Sequence, residues 1–348
     1  MNPYLTSLIL MSLGMGTMTT FASSHWMTAW MGLEINTIAI LPLMIERYHP
    51  RAVEATTKYL INQATAATLM LFSASLNAWL MGSWEIHQQF HPTVVVLMTL
   101  ALGLKVGLAP MHFWLPEVIQ GVSLTTGLIM STWQKLAPMM LLYQISPEMN
   151  QTMLISMGLM SIMVGGWGGL NQTQLRKLMA YSSIAHMGWM MTVLAFAPKI
   201  MALNMVIYIL MTTSGFMTLK VLAAKNINKL ATSWAQTPML TVTTLLVMLS
   251  LGGLPPMTGF VPKWAIMAEL TKQDLHTTVT IMALTALLSL FFYMRICYTM
   301  TLTAHPQTNN TLSWWRLKMK KSTIMLSVTT IMTLALMPIT PAILALLS

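Results

Sequence analysis

LAPMHFWLP, Leu108 to Pro116, lies just beyond Lys105 in the otherwise apolar run VVVLMTLALGLKVGLAP. Starting 146 residues after Leu108, the chain offers LPPMTGFVP, Leu254 to Pro262, with Lys263 next. Leu, Pro, Met and the final Pro recur at the same offsets in both stretches. A proline inside a helix removes a backbone N–H and clashes with the carbonyl four residues back. Pro110 is therefore expected to free the carbonyl of Val106, beside Lys105, and Pro256 that of Gly252. Non-helical backbone at lipid depth survives only enclosed by protein or along a water-filled cavity. Interrupted spans in matching places of two chain halves point to a transporter built from repeats, with its site at the breaks.

The composition agrees with a lipid environment. Of the 348 residues, 55% are hydrophobic and 7% charged, against roughly 25% charged in a soluble domain. So few charges cannot cover a water-facing surface. The formal charge of +10 does not indicate nucleic acid, because the basic residues sit between apolar runs rather than in one stripe. A single cysteine, Cys297, excludes a disulfide framework, a four-cysteine zinc site or a cysteine-ligated iron–sulfur cluster within this chain. No amphipathic Arg-rich presequence or cleavable signal precedes the apolar run beginning near Tyr4, which reads as the first membrane helix.

Segments near ~20 apolar residues number eleven: 4–20, 26–45, 59–81, 93–119, 124–145, 153–170, 178–197, 200–222, 239–270, 277–300 and 323–346. The reading is one all-α polytopic membrane domain with a first repeat region over 26–145, a second over 178–300, and a C-terminal helix over 323–346. If the spans alternate, twelve of the eighteen Lys and Arg residues fall on one side: Arg47, Arg51, Lys58, Arg176, Lys177, Lys220, Lys225, Lys229, Arg316, Lys318, Lys320 and Lys321. Lys199 and Lys272 fall on the other, and Lys105, Lys135, Lys263 and Arg295 lie inside spans. By the positive-inside rule the N-terminus is inside and, with an odd count, the C-terminus outside.

An ionisable group at mid-helix costs ~2.5–3.5 kcal/mol on insertion scales, so the few that are kept are candidates. Glu34 lies in TAWMGLEINTIAILP, Lys105 and Lys263 beside the two breaks, and Lys135 in LIMSTWQKLAPMMLL, where Pro138 loosens the carbonyl of Gln134. Burial disfavours a charged amine and a neighbouring carboxylate favours it. Such a lysine can be switched by a nearby charge and pass protons. Glu34 and Lys105 are expected to form the coupled pair, with Lys135 and Lys263 carrying the proton on. One intramembrane lysine is as often a structural ion pair, but three lysines and a glutamate, two of the lysines beside proline breaks, favour function. His112, within the first break, and His186, in AYSSIAHMGWMM, either pass protons or are neutral histidines hydrogen-bonded between helices. Arg295 reads as a snorkelling or lipid-facing anchor. Glu85, His87 and His91 have a metal-ligand spacing but read as a solvated loop. GGWGG, Gly165 to Gly169, is small-residue spacing for close helix packing and lacks the Lys-Ser/Thr of a phosphate loop.

MGLEINTIAILPLM, GLKVGLAPMHFWLPEV, STWQKLAPMMLL, RKLMAYSSIAHMGWM and LGGLPPMTGFVPKW together resemble the chain 2 family of mitochondrial NADH–ubiquinone oxidoreductase. These are antiporter-like, proton-pumping membrane subunits of respiratory complex I. The resemblance covers essentially the whole chain, in the shortened animal form that lacks three N-terminal helices of bacterial relatives. The 38 methionines fit metazoan mitochondrial translation, which reads an extra codon as Met. The resemblance implies two inverted five-helix repeats, each with a discontinuous helix, in the mitochondrial inner membrane. It carries the family's key glutamate onto Glu34 and its lysines onto Lys105, Lys135 and Lys263, and matches His112 and His186 to histidines near a hydrated axis. It places NADH, FMN, iron–sulfur clusters and ubiquinone in other subunits, with no cofactor or metal here. The partners it implies are other membrane and accessory subunits and membrane lipids. Where related subunits often have aspartate after the WLP, this chain has Glu117, which is left out of the relay. Two other readings stand beside this one. A stand-alone cation/proton antiporter would need clustered carboxylates, of which only Glu34 qualifies; a scaffold subunit would use the lysines as structural ion pairs.

Overall fold

A computed structural model describes residues 3–45, 49–235, 237–302 and 323–347. Sixteen α-helices and no named strand are formed among the described residues. In order they are α1 (Pro3–Phe21), α2 (Trp26–Met44), α3 (Pro50–Met81), α4 (Pro92–Val106), α5 (Trp114–Gly121), α6 (Leu124–Ser131), α7 (Trp133–Ile145), α8 (Gln151–Leu170), α9 (Leu175–Leu194), α10 (Pro198–Val221), α11 (Ile227–Thr232), α12 (Pro238–Gly252), α13 (Phe260–Lys272), α14 (His276–Thr301), α15 (Ile324–Ala335) and α16 (Thr340–Leu347). The chain divides into two compact units, Met1–Ser161 with Met191–Pro198, and Ile162–Met190 with Lys199–Ser348.

The two broken spans are built alike. α4 starts with Pro92 in its first turn, where the missing N–H costs nothing, and ends at Gly107 with φ 85°. α12 starts with Pro238 in the same way and ends at Gly253 with φ 78°. Both are fifteen residues long, roughly 22 Å at 1.5 Å per residue, too short for a hydrocarbon core of about 30 Å. Residues 107–113 and 253–259 carry the chain without helix before α5 and α13. The Ala109–Pro110 and Pro255–Pro256 bonds are cis. Start, end and break are displaced by the same 146 residues as the sequence echo. The units also share a loop device: His25 bridges Glu85 in the first, and Gln174 bridges Asn226 in the second. Each bridge joins the approach to one helix (α2 or α9) with the exit from the next (α3 or α10).

Six helices, α1, α2, α3, α8, α10 and α14, are long and apolar enough to cross a membrane, or seven if the bent α15–α16 pair counts as one span. The expected eleven crossings are therefore not all present as single apolar helices among the described residues. The other four expected spans differ for local reasons. Those over 93–119 and 239–270 are the broken pairs. The one over 124–145 is interrupted at Thr132, between α6 and α7, with Pro138 inside α7. α9 carries Arg176, Lys177 and a run of Ser and His that lower its hydropathy. The last span was expected to be continuous, but α15 and the following segment bend by 65° around the turn Met337–Ile339, at the MPITP sequence. Arg47, Arg316, Lys318, Lys320 and Lys321 of the charge count lie outside the described residues.

Candidate functional site

The first centre lies in the first unit, at the end of α4. An α-helix leaves its last carbonyls unpaired, and this end is buried, so each needs a partner. Gly103 O receives the N–H groups of Gly107 and Leu108, both at 2.9 Å. Leu104 O accepts from Trp114 Nε1 of α5 at 3.2 Å, and Lys105 O from Gln63 Nε2 of α3 at 3.5 Å. The proline pattern put the freed carbonyl at Val106. The side-chain donors are found one and two residues earlier, because the helix is ended by the left-handed Gly107 rather than by Pro110.

Lys105 is thereby fixed at the negative end of the helix dipole, where a cation is favoured. Its amine is 4.0 Å from Glu34 Oε1 of α2; the lysine side chain is 3% exposed and the glutamate 26%. That separation exceeds the about 2.7–2.9 Å of a direct charge-assisted hydrogen bond, and the Lys105 amine has no hydrogen-bond partner among the described residues. Lys105 faces a cavity that Asn36, Tyr59, Gln63, Gln134 and Lys135 also line. Water centres have about 20 Å³ there, room for about one water. Lys135, on the first turn of α7, is 2% exposed. Its neighbour Gln134 donates to Asn36 O at 3.1 Å, tying α7 to α2. Glu34 also accepts from Thr37 Oγ1 at 3.2 Å.

The second centre lies in the second unit. Lys263, on the first turn of α13, donates its amine to Gly252 O at 2.7 Å, the carbonyl that Pro256 was expected to free. A cation again sits at a helix C-terminus, but here it comes from beyond the break instead of before it. A side chain on Gly253 would displace the amine: an added Cβ would lie 2.8 Å from Lys263 Nζ. The amine borders a small cavity, about 10 Å³ for water centres, lined also by Ser182, His186, Trp189, Ser289 and Tyr293. Thr258 Oγ1 donates to Thr333 O at 2.5 Å, tying this break to α15.

The structure thus brings Lys105 and Lys135 around one cavity, with Glu34 4.0 Å from Lys105, and His186 and Lys263 around another. His112 is in neither lining. It is buried in the first break, where Nδ1 donates to the Pro110 carbonyl at 3.2 Å and the ring lies 4.2 Å from that of Phe113. Glu117 pairs at the surface with Lys58, at 2.6 Å. Arg295 is not a lipid-facing anchor: its Nη1 donates to Leu170 O at 2.7 Å and caps the C-terminus of α8. The guanidinium finds an unpaired helix end within the protein and so has no need to reach for the interface. GGWGG packs helices closely: an added Cβ on Gly165 would lie 2.7 Å from Ala185 N, and on Gly168 2.4 Å from the Tyr181 ring. His91 caps α4 and Glu85 accepts from Gln88 at 2.9 Å. The sequence reading passed over Asn36, Tyr59, Gln63, Gln134, Ser182 and Tyr293. The available signal was polarity inside apolar spans, which was weighed only for ionisable groups.

Residues 23–289 match the family model described as "NADH:quinone oxidoreductase/Mrp antiporter, TM", and residues 290–344 the model "NADH dehydrogenase subunit 2 C-terminus". The chain belongs to this family. Among its relatives in the family, NADH-ubiquinone oxidoreductase chain 2 of Salmo salar is 59% identical over 348 residues, covering 100% of both chains. The chain of the same name from Danio rerio is 57% identical, covering 99% of each. A chain of respiratory complex I from Thermus thermophilus has the same fold, with a TM-score of 0.87 at 24% identity over 100% of this chain and 81% of that one. The antiporter-like architecture implied by the resemblance is therefore the fold observed.

Proposed function

We propose that this chain is the proton-translocating, antiporter-like membrane subunit of a respiratory NADH:ubiquinone oxidoreductase in the mitochondrial inner membrane. The observation that carries the reading is the buried amine of Lys105, without a hydrogen bond among the described residues, 4.0 Å from Glu34 and on a water-sized cavity that Lys135 also lines. A buried amine near a carboxylate exchanges a proton when the neighbouring charge changes, because that charge shifts the balance between its two forms. Glu34 and Lys105 receive the proton, Lys135 passes it on, and Lys263 releases it. His186 serves the second centre. His112 acts at most by holding the first break in shape.

The names of the relatives and the family model support a place in complex I. The chain is then a non-redox subunit of the translocating enzyme. NADH oxidation, FMN, iron–sulfur clusters and ubiquinone belong to other subunits, and their energy drives the charge movement here. The extensive apolar surface, with exposed Leu8, Met11, Met15 and Met18 on α1, meets lipid and other membrane subunits. The distribution of Lys and Arg supports an N-terminus on the matrix side and a C-terminus on the intermembrane-space side.

Replacing the lysines equivalent to Lys105 and Lys263 by methionine in a bacterial relative tests the reading. Protons pumped per electron are expected to fall while the enzyme still assembles. An unchanged ratio in both variants defeats the relay.

A further inference from the structure

The two breaks correspond residue for residue at an offset of 146, yet their charges do not: Leu251 stands where Lys105 would fall, and Lys263 where Glu117 would. The helices before them, α2 and α9, start 149 residues apart. At that offset Glu34 corresponds to Ser183, and Tyr59 to Tyr208. The second unit therefore has no counterpart of the Glu34 carboxylate. From residue 162 onward the sequence contains two acids, Glu269 and Asp274. Glu269 pairs with Lys272 at 3.0 Å and Asp274 with His276 at 3.8 Å. Neither forms an ion pair with Lys263 among the described residues.

A hydroxyl stands near Lys263 instead. Tyr293, on α14, is 1% exposed, and its Oη has no hydrogen-bond partner among the described residues, although Ser182 lies close by. Ser182 has already donated its own hydrogen to Met179 O at 2.8 Å, so it can only accept. Tyr293, Ser182, His186 and Lys263 all line the small second cavity. A buried hydroxyl without a partner is costly, and the space beside it, about 10 Å³ for water centres, is close to what one water needs. A phenol can accept from an ammonium or donate to a neutral amine, so it serves both states of a lysine. A carboxylate accepts only and holds the charged state.

We propose that Tyr293 is a proton-relay residue linking His186 to Lys263, in the position of function that Glu34 fills in the first unit. The inference rests on the proton-translocating reading above. The His186 imidazolium gives up an N–H proton, which reaches the Tyr293 oxygen through one water. The Tyr293 O–H proton passes through the water to the neutral amine of Lys263. One N–H bond breaks, one N–H bond forms, and the phenol is regenerated.

Tyr293→Phe, made in the assembled enzyme, keeps the ring that packs 4.4 Å from Phe292 and removes only the hydroxyl. The expected result is protons per electron lowered by the same fraction as in Lys263→Met. Wild-type pumping in Tyr293→Phe beside a reduced ratio in Lys263→Met overturns this inference alone. A wild-type ratio in Lys263→Met overturns the reading beneath it. Density for the unaltered enzyme decides independently of assembly. A water within about 3.2 Å of Tyr293 Oη and of either Lys263 Nζ or His186 supports the relay; a dry hydroxyl overturns it.

Discussion

Gly107→Ala and Gly253→Ala form a matched pair, because the same backbone strain falls on two breaks that differ in one contact. Gly107 has φ 85° and Gly253 φ 78°. Holding alanine in that left-handed region costs about 1–2 kcal/mol at either position. At Gly107 the new methyl meets Leu115 Cδ1 at 3.2 Å, which a small shift relieves. At Gly253 it meets Lys263 Nζ at 2.8 Å and Cε at 3.0 Å. The flexible amine moves aside, but only by leaving Gly252 O, to which it donates at 2.7 Å. Losing a hydrogen bond to a charged group adds about 1.5–3 kcal/mol. Gly253→Ala should thus destabilise by about 2.5–5 kcal/mol, against about 1–2 kcal/mol for Gly107→Ala. Two measurements on purified enzyme separate the effects: activity remaining after graded heating, and protons pumped per electron in vesicles. Both variants should lose heat resistance, Gly253→Ala more. The pumping ratio should fall chiefly in Gly253→Ala, because its relay amine is displaced. Equal losses of pumping in the two, or normal pumping in Gly253→Ala, would refute the argument that the lysine's seat on Gly252 matters.

Two further expectations follow from the carbonyl accounting. Trp114→Phe removes the indole donor from Leu104 O and leaves that acceptor unpaired at about 1–3 kcal/mol, to which the gap left by the smaller ring adds; lowered heat resistance checks it, and unchanged resistance contradicts it. Arg295→Met uncaps Leu170 O and should lower heat resistance more than Arg295→Lys, which can still donate one hydrogen bond. Equal heat resistance of the two Arg295 variants would refute the cap, because only lysine keeps a donor for Leu170 O.

The breaks were legible because they are written in local chemistry. Pro92 and Pro238 start the short helices, and Gly107 and Gly253 end them, by rules that act within a few residues. The repeat of LxPM is visible for the same reason. The bend at Met337–Ile339 was equally written, in Pro338 and Pro341, but an unbroken apolar composition outweighed it in the reading. Thr132 was harder to see: the interruption of 124–145 sits before Pro138, and Thr132 itself carries no special backbone signal.

The candidate residues stand out in the sequence by their cost at lipid depth, yet their grouping was not in the sequence. Helices apolar all round carry no stripe that says which face meets which neighbour. Nothing local therefore puts Glu34 of α2 within 4.0 Å of Lys105 of α4, or Lys135 on the same cavity, or keeps His112 away from it. The same holds for Arg295, whose partner is a carbonyl 125 residues away. The sequence by itself determined that the chain lives in lipid, where it breaks, and which rare polar groups it keeps. Only the packing of helices decided which freed carbonyl each amine or indole satisfies, and which groups share a water-sized space. Those choices depend on rotations and distances between segments far apart in the chain, where a buried donor takes whichever acceptor lies within reach.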